Sequence, residues 1–295
     1  MAYKIYMDRP LEEERKRITF EQIDKSLEEL QDDALDVHAR VHQFRKRAKK
    51  IRALLRLYRP VDEQWYQREN ARFRDLAARY GALRDSDAAI DTLNKVRQHF
   101  SEQLDPAAFA GLTDSLSDHR SVRMARDVSD AHLATLQSEL KTARLEIVGW
   151  TDHAITADTL IAGLEKTYRR GRKAMRKCLE TDDPVTWHEW RKRTKYQRYQ
   201  WKLLRRLWPD VIDCWRDQLH ELTDLLGDDH DLVVLHQMLR SKDAPQCDET
   251  TLEALEGLMS ERSASLRTAS RSLGAKLFHD KPVAVTDRLQ CWLNA

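Results

Sequence analysis

Apolar and polar positions recur with a helical period along most of the chain. Val41, Phe44 and Ala48 are spaced by three and four residues, which places them on one side of a helix over residues 34–58. Pro60 predicts the end of that helix, because proline cannot continue the backbone hydrogen-bond pattern. The sequence lacks the two-residue alternation of Val, Ile and Thr that is typical of strands. The pattern therefore predicts an all-α protein.

Nine further helices are predicted from the same periodicity and from the Gly and Pro residues that separate them. They cover about residues 19–30, 62–80, 85–100, 122–147, 158–179, 185–207, 211–226, 230–241 and 249–276. Gly81 and Gly227 are among the predicted breaks, and residues 106–121, rich in Ser and Asp, are predicted to be a connector. Because short connections favour antiparallel neighbours, each half of the chain is predicted to form a four-helix bundle.

A basic segment occurs twice in the chain, at an offset of 146 residues. Residues 41–58 read VHQFRKRAKKIRALLRLY, and residues 187–204 read WHEWRKRTKYQRYQWKLL. Seven of the eighteen pairs are identical, namely His42/His188, Arg45/Arg191, Lys46/Lys192, Arg47/Arg193, Lys49/Lys195, Arg52/Arg198 and Leu57/Leu203. The apolar positions differ while the cations persist, which favours a shared ligand over shared core packing. The repeat predicts two pseudo-symmetric four-helix bundles that arose by internal duplication, with a basic groove between or along them.

The charges are segregated along the chain, although the formal net charge is only +2. Residues 40–59 hold nine Lys or Arg and no acid, and residues 166–177 hold seven and no acid. The chain has 34% charged residues and only 8 Gly and 7 Pro, a composition typical of helical proteins. The segregated cations indicate a polyanionic partner.

The spacing of the cysteines and the lack of long apolar runs argue against a zinc site, a secreted protein and a membrane-spanning protein. Cys178, Cys214, Cys247 and Cys291 are widely spaced and show no zinc-ligand spacing, so reduced thiols and no metal site are expected. Neither a signal peptide nor a stretch of eighteen apolar residues is present. We therefore expect a cytoplasmic protein with no membrane partner.

The candidate binding residues form basic stripes on three predicted helices. On a helical wheel the first stripe lies within an arc of about 120° and extends about 21 Å, long enough to meet several groups of a linear polyanion. It comprises His42, Arg45, Lys46, Lys49, Arg52 and Arg56. The second comprises His188, Arg191, Lys192, Lys195, Arg198, Tyr199 and Lys202, and the third comprises Arg169, Arg172, Lys173 and Arg176. Arginine forks and lysine ammonium groups suit phosphate oxygens. A solvated basic face is the simpler interpretation, and recurrence in register argues against it.

Two aspartates keep the offset of the basic segments. Asp85 and Asp231 each begin a predicted helix, where a carboxylate interacts favourably with the helix dipole. Each is also a candidate partner for a cation of its stripe, which would hold that side chain in place for a ligand.

These paired segments, together with the sequences LRDSDAAI and LLGDDHDL that follow them, resemble the two halves of the CHAD domain, the conserved histidine α-helical domain. Tyr168 to Lys173 also resembles the basic run that precedes the second histidine of that family. The resemblance implies two pseudo-symmetric four-helix bundles with a basic central groove that binds inorganic polyphosphate without catalysis. It matches the motif histidines to His42 and His188. The basic motif positions match Arg45, Lys49, Arg52, Arg191, Lys195 and Arg198.

The resemblance covers about residues 17–279, as a stand-alone domain whose halves span about 17–147 and 150–279. Residues 1–16 are left as an N-terminal segment and residues 280–295 as a C-terminal tail. No catalytic residue, cofactor or metal is expected, and association with polyphosphate granules is a further expectation.

Two other functions are compatible with parts of the sequence. The basic stripes suit nonspecific nucleic-acid binding, whereas no helix-turn-helix, zinc or RNA-binding sheet motif predicts sequence-specific recognition. His230 and Asp231 resemble the metal-binding pair of a phosphohydrolase, but position 84, the equivalent of His230, is Arg. A metal-dependent phosphohydrolase is therefore the weaker alternative.

Overall fold

The computed structural model describes residues 3–101, 109–127, 130–150, 154–241 and 244–294, with the backbone alone for 81–87, 123–127 and 130. Every regular element in these ranges is helical, which confirms the all-α prediction. The first helices are α1 Leu11–Gln31, α2 Val37–Leu57, α3 Glu63–Ala78, α4 Gly81–His99, α5 Ala110–Asp127 and α6 Asp130–Val148. They are followed by α7 Ala157–Glu180, α8 Pro184–Leu203, a short 3-10 helix Arg205–Leu207, α9 Pro209–Leu239, α10 Glu249–Leu277 and α11 Pro282–Asn294. No described helix combines the length and apolar character needed to cross a membrane.

Aspartate side chains fix where four of the helices begin. Asp36 accepts a hydrogen bond from the backbone N–H of residue 39 ahead of α2, and Asp62 accepts from residues 64 and 65 ahead of α3. Asp183 and Asp248 cap α8 and α10 in the same way. Each carboxylate satisfies N–H groups that have no partner inside the helix and interacts favourably with the helix dipole. The two basic helices, α2 and α8, are therefore both capped by an aspartate.

The order of the helices repeats in the two halves of the chain. At the offset of 146 residues, α1 corresponds to α7, α2 to α8, α3 and α4 together to α9, α5 to α10, and α6 to α11. The same pairs pack in both halves: α1 on α2 and α7 on α8, α4 on α5 and α9 on α10, α1 on α6 and α7 on α11. The repeated sequence therefore corresponds to a repeated arrangement of helices.

The hydrophobic cores connect the two halves. One core contains buried side chains of α1, α2, α3, α6, α7, α8, the first part of α9 and α11. A second core joins α4 and α5 to the later part of α9 and to α10. α2 also packs directly on α8. Both basic helices are thus held against each other by the larger core.

Gly227 does not interrupt α9, contrary to the break predicted there. The helix runs without interruption from Pro209 to Leu239. Glycine costs about 1 kcal/mol in a helix interior and does not by itself end a helix. A Cβ atom at Gly227 would lie 3.5 Å from the guanidinium of Arg191 on α8. That is an ordinary van der Waals distance, so the contact with Arg191 does not require a glycine.

The predicted connector was also wrong for the residues that the structure describes, because α5 begins at Ala110. The hydroxyl groups of Thr113, Ser117 and Ser121 donate to the carbonyl oxygens four residues earlier, at 2.9, 2.9 and 3.0 Å. These local bonds are compatible with a helix, and buried Leu112 and Leu116 anchor it in the second core. Likewise α1 begins at Leu11 rather than near residue 19, and α11 covers much of the predicted tail.

Gly163 permits the closest approach between α7 and α2. A Cβ atom there would collide with the carbonyl oxygen of Leu57. We expect Gly163→Ala to lower the free energy of unfolding by about 1–3 kcal/mol, because backbone rather than a flexible side chain must move. Gly257→Ala on α10, where nothing lies within 4 Å, is the control and should stabilise by about 0.5–1 kcal/mol. Urea unfolding distinguishes the two, and equal effects would contradict the close contact.

Candidate functional site

The two basic helices cross in antiparallel directions. The Gln200 side-chain amide on α8 donates to the carbonyl oxygen of Ala53 on α2 at 3.3 Å. The Arg56 guanidinium lies 3.6 Å from the centre of the Tyr196 ring. Residues later on α2 thus meet residues earlier on α8.

Equivalent arginines on α2 and α8 are held by the helices that follow them. Arg52 Nε donates to Asn70 Oδ1 of α3 at 3.1 Å, and Arg198 Nη1 donates to Thr223 Oγ1 of α9 at 3.3 Å. Arg45 Nη1 donates to the carbonyl oxygen of residue 77 at 2.6 Å. These hydrogen bonds to neutral oxygen atoms orient the three guanidinium groups.

Cations crowd together at one end of the crossing. We call Lys46, Arg47, Lys50 and Lys202 the Lys50 cluster. Burial and the charges of Arg47, Lys202 and Lys46 lower the pKa of Lys50 to about 8. Burial also lowers the pKa of Lys202, with further contributions from Arg216, Arg198 and Lys46. The protonated amines therefore destabilise one another, and a bound anion would relieve that repulsion.

A second group of cations lies at the other end of the crossing. We call Arg52, Arg56, Arg170 and Arg193 the Arg56 cluster. Burial lowers the pKa of Arg56, an effect that Tyr196 and Tyr66 oppose and that Arg52 and Arg193 increase. Burial, Arg193 and Arg59 lower the pKa of Arg170. Carboxylates compensate part of this charge, because Arg47 of the Lys50 cluster pairs with Glu29 and Arg193 of the Arg56 cluster pairs with Glu189. Both ends of the α2–α8 crossing thus carry several cations, of which one in each cluster has a carboxylate partner.

His188 contacts a histidine of the neighbouring helix. Its Nδ1 lies 3.1 Å from Nδ1 of His230 on α9, and the ring centres are 4.1 Å apart. One nitrogen must donate and the other accept, so protonation of both facing nitrogens would break this bond. Across the described residues, no group of three or more His, Cys, Asp or Glu side chains is placed to hold a metal ion.

The sequence pattern of the CHAD domain matches residues 18–240. The chain belongs to the CHAD domain family. A crystal structure of the CHAD domain from the plant Ricinus communis is similar over 95% of both chains, with a TM-score of 0.66 at 19% sequence identity. Comparison with curated proteins finds no match. These findings confirm the family inferred from the duplicated basic segments and the fold that it implies.

The predicted binding residues of this CHAD domain differ in their accessibility. Exposed side chains are those of His42, Lys46, Arg169, Lys173, Arg176, Lys192 and Lys202. Half-buried ones are Arg45, Lys49, Arg52, Arg172, His188, Lys195 and Arg198, and buried ones are Arg56, Arg191 and Tyr199. Tyr199 packs edge-to-face on Tyr3 at 6.3 Å, which makes it part of the core.

Several predicted ligands already have partners inside the protein. Arg172 donates to the carbonyl oxygens of Phe278 and His279, at 3.0 and 3.2 Å, and so ties α7 to the end of α10. Arg169 pairs with Glu165, and Lys192 lies 2.7 Å from a carboxylate oxygen of residue 189. The third basic stripe therefore contributes to the structure of the CHAD domain as well as to its surface charge.

The prediction that Asp231 begins a helix is wrong, because the residue lies in the interior of α9, which runs from Pro209 to Leu239. A hydrogen bond to Asp228 is the main cause that raises the pKa of Lys95 on α4. The nearby carboxylate of Asp231 raises that pKa further. The side chain of Asp85 lies outside the described part of the structure.

Lys50, Arg170, Arg193 and Tyr196 belong to the site but were absent from the sequence prediction. On the helical wheel Lys50 lies about 40° beyond the arc of the first stripe, and its equivalent is Tyr196. Lys50 follows Lys46 by four residues, a spacing that makes the two side chains neighbours on the helix surface, and this spacing could have identified Lys50 from the sequence.

Lys50→Met should stabilise this CHAD domain in a pH-dependent manner. The pKa of Lys50 falls from its ordinary 10.5 to about 8 on folding, so the charged amine opposes folding below pH 8. That penalty declines as the pH rises from 8 to 10.5 and vanishes above it, because the amine is then neutral in both states. We expect a higher Tm for Lys50→Met at pH 7 and a smaller gain at pH 10. Scanning calorimetry at both pH values tests this, with Lys177→Met on α7 as control, and an equal gain would contradict it.

Proposed function

We propose that this CHAD domain binds inorganic polyphosphate along the surface where α2 and α8 cross, and that it does so without catalysis. The family is linked to polyphosphate binding in general. The supporting observation is the presence of a cation cluster at each end of the crossing, in which burial and mutual repulsion lower the pKa of Lys50, Lys202, Arg56 and Arg170. A flexible chain carrying one charge per phosphate suits two separated clusters better than a compact anion.

The aromatic residues of this surface favour polyphosphate over a nucleic acid. Tyr196 and Tyr199 are 7% and 5% exposed. The Arg56 guanidinium covers the first ring, and the second faces Tyr3. Single-stranded nucleic acids gain much of their affinity by stacking bases on exposed aromatic rings, which neither tyrosine provides.

Calorimetry with orthophosphate, pyrophosphate and a series of polyphosphate lengths is the direct test. Affinity that rises steeply with length supports an extended site, and equal affinity for pyrophosphate and a long polymer would overturn it. Competition with RNA and DNA tests nucleic-acid binding, and phosphate release with and without divalent metal tests the phosphohydrolase alternative. Imaging of the tagged protein in phosphate-replete cells tests the proposed association with polyphosphate granules.

Polyphosphate affinity should fall steeply with salt. Each neutralised phosphate releases condensed counterions, which gives a slope of about −0.7 per contact in a plot of log K against log salt for single-stranded polyanions. Titrations between about 50 and 300 mM salt, over which the screening of charges changes strongly, are expected to give a slope that corresponds to several contacts. A flat dependence would show that cation contacts do not dominate binding.

A further inference from the structure

A cavity of about 460 Å³ is lined by residues of α4, α9 and α10. Its apolar wall comprises Val96, Leu232 and Leu266, one residue from each helix. All three are buried members of the second hydrophobic core, so packing fixes the position of this wall. A volume of several hundred cubic ångströms is typical of sites that bind small molecules. The cavity is therefore large enough for a small ligand with an apolar part.

The charged side chains that line the cavity do not cancel one another. Lys95 Nζ of α4 lies 2.7 Å from Asp228 Oδ1 of α9, so these two charges form a pair. Arg262 of α10 is half-buried, and it forms no hydrogen bond or ion pair with any residue that the structure describes. Two cations and one carboxylate give this lining a net charge of +1 when His99 is neutral. An unpaired guanidinium group thus lies beside the apolar wall.

The charges of the cavity are not part of the duplicated basic pattern. At the offset of 146 residues, Lys95 corresponds to Ser241 and Arg262 corresponds to Leu116. The basic segments of α2 and α8 recur at that offset, whereas the cations of the cavity occur only once. This difference favours a ligand other than the polyanion proposed for the α2–α8 crossing.

We propose that this cavity binds a small amphipathic carboxylate, a monoanion with an aliphatic body. The carboxylate accepts two hydrogen bonds from the planar fork of the Arg262 guanidinium, a pairing whose geometry and charge are both favourable. The aliphatic body packs against Val96, Leu232 and Leu266, which removes apolar surface from water. One negative charge brings the lining to neutrality, whereas Asp228 would repel the further charges of a polyanion.

Titration of the intact chain with octanoate, followed by amide NMR spectra, tests the proposal. We expect a Kd of about 0.1–1 mM, as is typical for a ligand of this size, with the largest changes in α4, α9 and α10. Octylamine has the same aliphatic body and the opposite charge, so it should bind at least about tenfold more weakly. Equal binding of octanoate and octylamine would overturn the proposal, as would changes centred on α2 and α8.

Two substitutions change the net charge of the cavity in opposite directions. Arg262→Gln removes the guanidinium group and should weaken octanoate binding at least about tenfold. Asp228→Asn removes the carboxylate and should strengthen binding about two- to fivefold. Lys177→Gln on α7 removes an exposed cation elsewhere and should leave the affinity unchanged.

The same spectra establish that each variant is folded, because the amide signals of a folded chain remain dispersed. Wild-type affinity in Arg262→Gln would show that the guanidinium group does not bind the carboxylate, and the proposal would fail. Weaker octanoate binding by folded Asp228→Asn would contradict the charge argument and would also overturn it.

Discussion

Changing Lys46 and Lys202 together to glutamine is expected to weaken the binding of long-chain polyphosphate by about tenfold or more. Both side chains are exposed, and they lie on different helices at the same end of the α2–α8 crossing. The change removes two cations of the Lys50 cluster without removing a buried side chain. The slope of affinity against salt should also become shallower, because fewer counterions are released.

Stability distinguishes loss of ligand contacts from loss of structure in this variant. Lys46 and Lys202 both lower the pKa of Lys50, so their removal relieves repulsion and should leave Tm unchanged or higher. Calorimetric titration measures the binding, and Lys141→Gln with Lys177→Gln is the matched control for the loss of two exposed lysines. A lower Tm accompanied by weak binding would mean that the cluster is structural. Unchanged affinity would place the ligand elsewhere.

The repeated cations made the family and its helical fold predictable from the sequence, and they are the basis on which the candidate site is assigned to α2 and α8. The offset of 146 residues relates Arg52 to Arg198, and these two arginines contact equivalent helices, α3 and the first part of α9. The helical period and the capping aspartates are local signals, which is why the bounds of α2 and α8 lie close to the predicted ones. The helix bounds thus depend on residues that are close to one another in the sequence.

The remaining features depend on contacts between distant segments. Arg172 resembles a ligand in the sequence, and its guanidinium bonds to carbonyl oxygens more than a hundred residues away, at the end of α10. Gly227 resembles a helix break, and the arginine that approaches it belongs to another helix. Lys50 lacks a basic equivalent, since position 196 is Tyr, so the repeat could not identify it. Its low pKa arises from burial and from cations on three helices.

A single shared surface predicts a specific result when either cluster is weakened. At the repeat offset, Lys46 and Lys202 are equivalent to Lys192 and Arg56, so Lys192→Gln with Arg56→Gln is the matching change. Arg56 belongs to the Arg56 cluster, and Lys192, which pairs with Glu189, precedes Arg193 of that cluster in the sequence. If one polymer spans both clusters, each double variant should bind with lower affinity and unchanged stoichiometry. Long polymers should lose more affinity than short ones, because a short chain occupies one cluster at a time.

Two independent sites would behave differently in the same titration. Each double variant would then lose about half of its binding sites for short chains, and the affinity of the remaining half would stay at the wild-type value. Arg56 is buried and donates to the carbonyl oxygen of Arg52 at 2.5 Å, so thermal melts must accompany the second variant. We expect a loss of affinity with a constant number of polymers per protein in both variants. A clean halving of sites would contradict the shared surface while leaving polyphosphate binding itself intact.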